Sequence, residues 1–215
     1  MAECSACWFL AGKLRLGVQP TPKGRGSRIL EFVASYQGGE FYVEVKSPRS
    51  VNVIGRGGAA PNYSKKLTAI LKEANRQFDK GARNLLILVP EFSPPLDRMD
   101  LTEAFVAIPA LTYDVDPVSG RAVTKPETKL YPEGGFLRIW GNEPTPRFTR
   151  LGGVLAIDEC VRHRGNDCWM ESNGLLVHNP AASEDTRIPT EIWGDTPQFM
   201  WAGDVLRWSD GHRIF

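Results

Sequence analysis

Two acidic residues and a lysine near the start of the chain have the types and spacing of a hydrolytic site. Glu44 and Lys46 stand two residues apart in the run EFYVEVKSP (40–48), and Glu31 precedes Glu44 by thirteen residues. Side chains two apart on a strand face the same side, so Glu44 and Lys46 would point together. Paired carboxylates suit a hard cation such as Mg²⁺ or Mn²⁺, and a neighbouring ammonium can orient a metal-bound water. The set is therefore suited to phosphodiester hydrolysis.

A β-hairpin is the element that would bring the two acids together. The runs RILEFVASY (28–36) and EFYVEVKSP (40–48) are rich in aromatic and β-branched residues, and the intervening QGG supplies a turn. This pattern predicts two antiparallel strands. Pro48 should end the second strand because proline has no backbone N–H to donate. Glu31 and Glu44 would then lie near the same end of the hairpin, where the register decides whether the carboxylates converge.

A helix and a buried strand should follow the hairpin. Apolar residues at three- and four-residue steps predict a helix from about Ser64 to near Gly81. The continuous apolar run NLLILVP (84–90) predicts a strand buried on both faces. Hairpin, helix and buried strand together predict an α/β fold with a mixed sheet flanked by helices. Before them, we expect an amphipathic helix ending near Gly17 and a loop over 18–28.

The C-terminal half should be an elaboration of this core. The segment DLTEAFVAIPALTY (100–113) predicts a helix with Asp100 as its N-cap. Later strands are predicted over 136–140, 153–161 and 174–180, and the aromatic-rich C-terminal stretch should wrap the core. We therefore expect a core over 1–113 and a C-terminal α+β elaboration over 114–215, packed together as one structural domain.

The acids and the order of the elements over about residues 1–90 resemble the PD-(D/E)XK nuclease superfamily, whose core is the restriction-endonuclease-like fold. Glu44-Val45-Lys46 matches its E-x-K motif, and Glu31 stands at the position of its Pro-Asp acid. The resemblance implies a Mg²⁺-dependent (or Mn²⁺-dependent) DNA endonuclease. Glu31, Glu44 and the Val45 carbonyl would hold the metal, and Lys46 would position the attacking water. Gln77 on the following helix matches a polar residue that reaches the site in some members.

The sequence departs from this superfamily at one of the metal ligands. The dipeptide is Leu30-Glu31 rather than Pro-Asp, and the extra methylene of glutamate can move the metal or lower activity. The alternative is therefore a weakly active or inactive module of the same fold that binds nucleic acid or a protein partner. A homodimer is possible, since many proteins of this fold dimerise. Glu3 on the first helix is a weaker match to an acid that some members carry there.

Basic residues near the acids are candidates for phosphate contacts. The formal net charge of +1 gives no overall basic signature, so contacts to nucleic acid must come from local patches. Four arginines flank the candidate acids in sequence, namely Arg25, Arg28, Arg49 and Arg56. The short RHR segment (162–164) is a second basic cluster, which we expect in a solvated loop. Most of the tryptophans are expected in the core.

A zinc site is the competing interpretation of the cysteines and histidines. The pairs Cys4–Cys7 and Cys160–His163 have zinc-like spacing, and Cys168 and His178 are near the second pair. The pairs are far apart in sequence, and Cys4 and Cys7 would share one face of an apolar helix, as core residues do. We therefore expect no structural zinc. His178-Asn179-Pro180 should be a strand-ending turn.

Four cysteines do not make a disulfide framework in a chain of this size, which favours a reducing, cytoplasmic location. The N-terminus has Glu3 and lacks the basic start of a secretory signal. No apolar stretch approaches the roughly 20 residues that a membrane span needs.

Overall fold

The computed structural model describes residues 2–21, 30–48, 63–90, 96–106, 108–112, 114–124, 127–131, 134–140, 143–164, 167–202 and 205–211 of the 215-residue chain. The helices are α1 (Ala2–Cys7), α2 (Tyr63–Gln77) and α3 (Arg98–Phe105), with a π-helix at Trp8–Lys13 and a 3₁₀ turn at Glu191–Trp193. The strands before α3 are β1 (Gly17–Pro20), β2 (Phe32–Tyr36), β3 (Gly39–Lys46) and β4 (Asn84–Leu88). Those after it are β5 (Ile108–Thr112), β6 (Glu127–Tyr131), β7 (Leu137–Trp140), β8 (Glu143–Pro146), β9 (Gly153–Arg164), β10 (Asp167–His178), β11 (Gln198–Ala202) and β12 (Val205–Trp208).

Eight of these strands form one mixed sheet in the order β1-β2-β3-β4-β9-β10-β11-β12. The first three strands are an antiparallel meander, whereas β3, β4 and β9 run parallel to one another. β5–β6 and β7–β8 are separate two-stranded sheets. The predicted α/β fold with a mixed sheet and flanking helices is confirmed.

The predicted hairpin is present as β2 and β3. Its turn is made by Gln37 and Gly38, both with positive φ (48° and 80°), as a two-residue type I′ turn requires. Such a turn matches the right-handed twist of the strands and fixes their register, with Phe32 opposite Val43. The turn therefore determines which residue of β3 lies opposite Glu31.

Helix α2 covers one face of the sheet. Leu67, Leu71 and Ala74 of α2, and Phe78 directly after it, are buried in one core cluster together with Leu86 and Leu88 of β4. The predicted helical spacing is therefore confirmed. All five residues of β4 are buried, as expected for a strand with neighbours on both edges and packing on both faces.

The opposite face is covered by the N-terminal helical segment. Ala6, Phe9 and Leu10 pack with Val43 and Val45 in a second core cluster. After the π-helix the chain enters β1 at Gly17, so the expected loop over 18–28 is wrong for its first residues. Proline is tolerated there because Pro20 lies on an edge strand, where no ladder bond is needed from its nitrogen.

Helix α3 begins earlier and ends sooner than predicted. Asp97, not Asp100, is the N-cap: its carboxylate accepts from the Asp100 N–H at 2.8 Å, and the Asp100 carboxylate accepts from the Asp97 N–H at 3.1 Å. Asp100 is thus the third helical residue of a capping box. The helix ends at Phe105, and the chain then forms β5, in which Pro109 has no N–H for a continuing helix.

The C-terminal half extends the central sheet rather than wrapping it. β9 and β10 form a hairpin of twelve residues per strand, longer than the predicted strands, and β11 and β12 add two more strands to the same sheet. The RHR segment (162–164), expected in a loop, lies at the end of β9. The division of the chain at residue 113 stays a prediction. None of the helices in the described ranges is long and apolar enough to cross a membrane.

Candidate metal centre

The start of β2 brings the two predicted acids together. Glu31 directly precedes β2, and its N–H donates to the Val43 carbonyl at 3.1 Å, the residue that also faces Phe32. Two consecutive residues thus meet one residue of β3, the pattern of a β-bulge, which re-aims a side chain locally. The carboxyl of Glu31 lies close enough to the Glu44 carboxyl for a hydrogen bond and charge repulsion between them to raise the pKa of Glu31. The register, which the sequence left open, therefore brings the two carboxyls close together.

Glu44 is almost fully buried, with only 1% of its surface exposed. Its Oε1 lies 2.7 Å from Nζ of Lys46, which pairs one of its two oxygens. Its Oε2 is buried and accepts from no N–H or hydroxyl of the described residues. A buried carboxylate oxygen without a donor is costly. A proton shared with Glu31 or a bound cation would offset this cost.

Glu31 is held in its protonated form by its surroundings. Burial, the hydrogen bond to Glu44 and the negative charge of Glu44 raise the pKa of Glu31 to about 8. The Val45 N–H donates to Oε2 of Glu31 at 3.1 Å and partly opposes this rise. At neutral pH and without a cation, Glu31 therefore keeps its proton. A divalent cation would replace that proton.

Lys46 is anchored by carboxylates from two elements. Besides Glu44 it faces Glu73 of α2, with Nζ 3.6 Å from Oε1 of Glu73. Burial lowers the pKa of Lys46, but Glu44, Glu73 and Glu31 together raise it above its ordinary value. The side chain is thus an ammonium at neutral pH. It is still 25% exposed and can be reached from solvent.

Glu73 was not among the residues predicted from the sequence. It lies four residues before Gln77 on α2, so both share one side of the helix. The four-residue spacing from Gln77 is the sequence signal that points to Glu73. Gln77 is half-buried, and its Oε1 has no hydrogen-bond partner within the described ranges. Gln77 lies one helical turn after Glu73, the residue of α2 that contacts Lys46.

Val45 offers its backbone to the same site. Its N–H is directed toward the β2 side of the strand, where Glu31 accepts it. The carbonyl of a strand residue points to the same side as its N–H, so the Val45 carbonyl also faces that edge. Two carboxylates and one carbonyl form a ligand set that suits Mg²⁺, which keeps several of its waters. Among the described residues, no group of three or more His, Cys, Asp and Glu side chains is arranged to hold a metal ion.

Several other candidates are not placed in this centre. Glu3 is exposed on α1, which packs on the opposite face of the sheet from α2. The four arginines proposed for phosphate contacts lie outside the described residues: Arg25, Arg28, Arg49 and Arg56. They belong to the segments that precede Glu31 and follow Lys46 in the sequence.

The zinc candidates have other environments. Cys4 is exposed and Cys7 is half-buried, so the expectation that both are core residues is wrong for Cys4. The register places Cys168 opposite His163, but the side chains of Cys160, His163 and Cys168 lie outside the described residues.

His178 ends β10 at the predicted turn. Its Nε2 is 2.8 Å from Oε1 of Gln198, so this nitrogen is already engaged. In the turn that follows, Asn179 accepts from the Ala181 N–H at 2.9 Å. Trp193 and Trp208 are fully buried, as expected for core tryptophans.

Comparisons of the chain with protein-family models, with curated proteins and with solved structures found no match. The functional interpretation below therefore rests on the geometry of this centre and on the sequence resemblance.

Proposed function

We propose that the protein is a Mg²⁺-dependent endonuclease that hydrolyses phosphodiester bonds in DNA. The observation that carries the proposal is the contact between the carboxyls of Glu31 and Glu44, with the Lys46 ammonium 2.7 Å from Glu44. A buried and a half-buried carboxyl this close together are unfavourable unless a proton or a cation lies between them. A lysine held beside them adds the positive charge that phosphoryl transfer requires.

The element order gives independent support for a restriction-endonuclease-like core. The chain runs from α1 through the antiparallel meander of β1, β2 and β3, then through α2 to β4, which is parallel to β3. Glu44 lies on β3 of that meander, and Glu31 directly precedes β2. This is the arrangement expected from the resemblance to PD-(D/E)XK nucleases, and its fit with the acids favours a nuclease over an unrelated α/β enzyme.

The residues present fit a magnesium ion. Glu31, Glu44 and the Val45 carbonyl would hold it. The buried Oε2 of Glu44 has no hydrogen-bond partner among the described residues, and a bound cation would satisfy it. When bound, Mg²⁺ supplies Lewis acidity to a phosphate oxygen and lowers the pKa of a water. The side chain of Glu31 would release its proton on binding the ion.

Lys46 supplies the remaining chemistry from the protein. Its ammonium has three donors, of which one holds Glu44, and the others can reach an attacking water or a phosphate oxygen. The positive charge opposes the negative charge that builds up at phosphorus. Glu73 is 66% exposed and orients the ammonium from the α2 side. Glu73 is therefore a positioning residue.

Nicking of supercoiled plasmid DNA tests the proposal. Wild-type protein should nick the plasmid with Mg²⁺ and not with EDTA, and both Glu44→Ala and Lys46→Ala should lose this activity while remaining folded. Glu40→Ala and Lys72→Ala are matched controls, because both residues are exposed and lie on β3 and α2 away from the acids. Unchanged nicking by Glu44→Ala and Lys46→Ala would overturn the proposal.

A non-catalytic module of the same fold is the second candidate. It is favoured by Glu31, which stands where the superfamily has aspartate, and by the ion pairs that hold Lys46 between Glu44 and Glu73. Such a module would bind DNA or a partner protein with equal affinity in Mg²⁺ and in EDTA. The endonuclease proposal predicts a clear difference between the two conditions.

A further inference from the structure

A groove of about 170 Å³ lies on the α2 side of the sheet, near the end of β4. Pro90, Leu96 and Leu175 form its apolar walls, and Asp158 and Asn173 contribute polar groups. Leu96 is part of the core cluster under α2, and Leu175 packs against it. The groove is smaller than the roughly 300 Å³ of pockets that enclose drug-sized ligands, so it suits a single ring system.

The strand register relates the groove to Lys46. Lys46 is aligned with Leu88 of β4, and Leu88 is aligned with Ala156 of β9. Neighbouring strands are about 4.8 Å apart, so Ala156 is about 10 Å from the position of Lys46. Asp158 lies two residues further toward the carboxyl end of β9, on the same face, which gives roughly 12 Å. In open α/β sheets ligands bind at the carboxyl ends of the parallel strands.

The polar groups of the groove are paired across two strands. Asp158 of β9 is directly opposite Asn173 of β10, and residues so paired have Cβ atoms roughly 5 Å apart. Asp158 is half-buried and Asn173 is exposed. Within the described part of the chain, neither side chain has a hydrogen-bond or ion-pair partner. The carboxylate only accepts hydrogen bonds, whereas the amide both donates and accepts.

We propose that this groove binds one unpaired nucleobase that carries an exocyclic amino group, next to the phosphate that is cleaved. The inference rests on the proposed nuclease function, because the metal centre then fixes the position of the phosphate. Asp158 accepts from the amino group, Asn173 donates to the neighbouring ring acceptor, and the apolar walls contact the ring faces. Thymine has no amino group and presents a carbonyl to the Asp158 carboxylate.

The occupant must be an unpaired base. In a duplex the amino group and the ring acceptor are already used in the base pair, and the stacked neighbours prevent one base from entering a narrow groove. The proposal therefore assigns single-stranded or locally unpaired DNA as the substrate class. The separation from Lys46 corresponds to the reach from a phosphate to the base of a neighbouring nucleotide in an extended strand.

Fluorescence anisotropy with labelled oligonucleotides tests the inference. Oligo(dC) and oligo(dT) of equal length are titrated with the full chain, with Ca²⁺ replacing Mg²⁺ to limit cleavage. The wild type should bind oligo(dC) at least about fivefold more tightly than oligo(dT), the lower end of the discrimination of a good base contact. Asp158→Asn and Asn173→Ala should each bring that ratio close to one. Asp185→Asn is the control for the loss of one negative charge, since Asp185 is exposed and outside the groove, and it should keep the wild-type ratio.

The results separate the groove from the nuclease proposal. Equal affinity of the wild type for the two oligonucleotides, or a ratio unchanged in both groove variants, would overturn the base-binding inference. Absence of binding to either oligonucleotide would also overturn it. Cleavage is measured separately with Mg²⁺. Cleavage without the dC preference refutes the groove alone, whereas the preference without cleavage refutes the nuclease proposal and supports the groove.

Discussion

The raised pKa of Glu31 predicts that the metal-free protein loses stability as the pH rises. A carboxyl whose pKa is higher in the folded state than in the unfolded state keeps its proton more tightly when folded. For Glu31 this contribution is fully present below pH 4.5 and is lost as the pH rises toward about 8. Over this range Glu31 changes from a neutral carboxylic acid to a carboxylate beside Glu44.

The size of this effect follows from the pKa and from solvent exposure. A rise from 4.5 to about 8 corresponds at most to roughly 5 kcal/mol, at 1.36 kcal/mol per pKa unit. Glu31 is only half-buried, so solvent screening reduces the expected loss to about 2 kcal/mol. For a chain of this length, that loss lowers the melting temperature by roughly 4–8 °C.

Urea denaturation in EDTA at pH 5, 7 and 9 measures the effect. The free energy of unfolding of the wild type should fall by about 2 kcal/mol relative to that of Glu31→Gln, which cannot titrate. Groups that do not interact with Glu31 titrate alike in both proteins and cancel in the comparison. Adding Mg²⁺ at pH 9 should restore stability to the wild type and not to Glu31→Gln. If the free energies of unfolding of the two proteins changed in parallel with pH, the raised pKa of Glu31 would be refuted.

Three further predictions concern the scaffold. Burial lowers the pKa of His178, whose Nε2 bonds Gln198 and whose buried Nδ1 has no hydrogen-bond partner among the described residues. Stability should therefore fall below about pH 6.5, by at most about 1.4 kcal/mol per pH unit, and His178→Gln should show a flatter acid limb in urea denaturation. Asn84→Ala should cost about 2–4 kcal/mol in urea denaturation, because the Asn84 amide donates to three backbone carbonyls at 2.6–3.1 Å. Gly174→Ala should lower the melting temperature, since an added Cβ would lie 2.6 Å from the ring of Phe9 and overpacking costs roughly 1–3 kcal/mol; an unchanged melting temperature would contradict this close packing.

The parts of the fold that follow from local pattern were predictable from the sequence. The apolar spacing of α2, the apolar run of β4 and the glycine turn between β2 and β3 each specify one element, because periodicity and turn chemistry act over a few residues. The shared face of Glu44 and Lys46 follows from strand geometry in the same way. Their ion pair at 2.7 Å is a consequence of that spacing.

The parts that depend on distant neighbours were not predictable. β1 is a strand because β2 offers it a free edge, although its own sequence contains proline and glycine. The capping role of Asp97 depended on which of two nearby aspartates begins α3, and both are compatible with the sequence. β9 joins β4 across more than sixty residues of sequence, a long-range pairing that no local signal specifies.

The same distinction between local and distant effects applies to the candidate centre. The types of its residues could be read from the sequence, but their contact depended on the local distortion at Glu31, where two residues meet Val43. The contribution of Glu73 depended on how α2 lies across the sheet, which brings its carboxylate within 3.6 Å of Lys46. The groove at Asp158 and Asn173 required the position of β9 in the sheet.

Calorimetric titration of the metal-free protein with Mg²⁺ and with Mn²⁺ tests the central claim most directly. At pH 7.5 the wild type should take up divalent cation with saturable heat and release a proton, seen as a dependence of the heat on the buffer. Glu44→Gln should show neither, while Glu40→Gln, which changes an exposed carboxylate of the same strand, should behave as the wild type. Saturable uptake of Mg²⁺ or Mn²⁺ that is unchanged in Glu44→Gln, or no uptake by the wild type, would contradict a metal centre at Glu31 and Glu44.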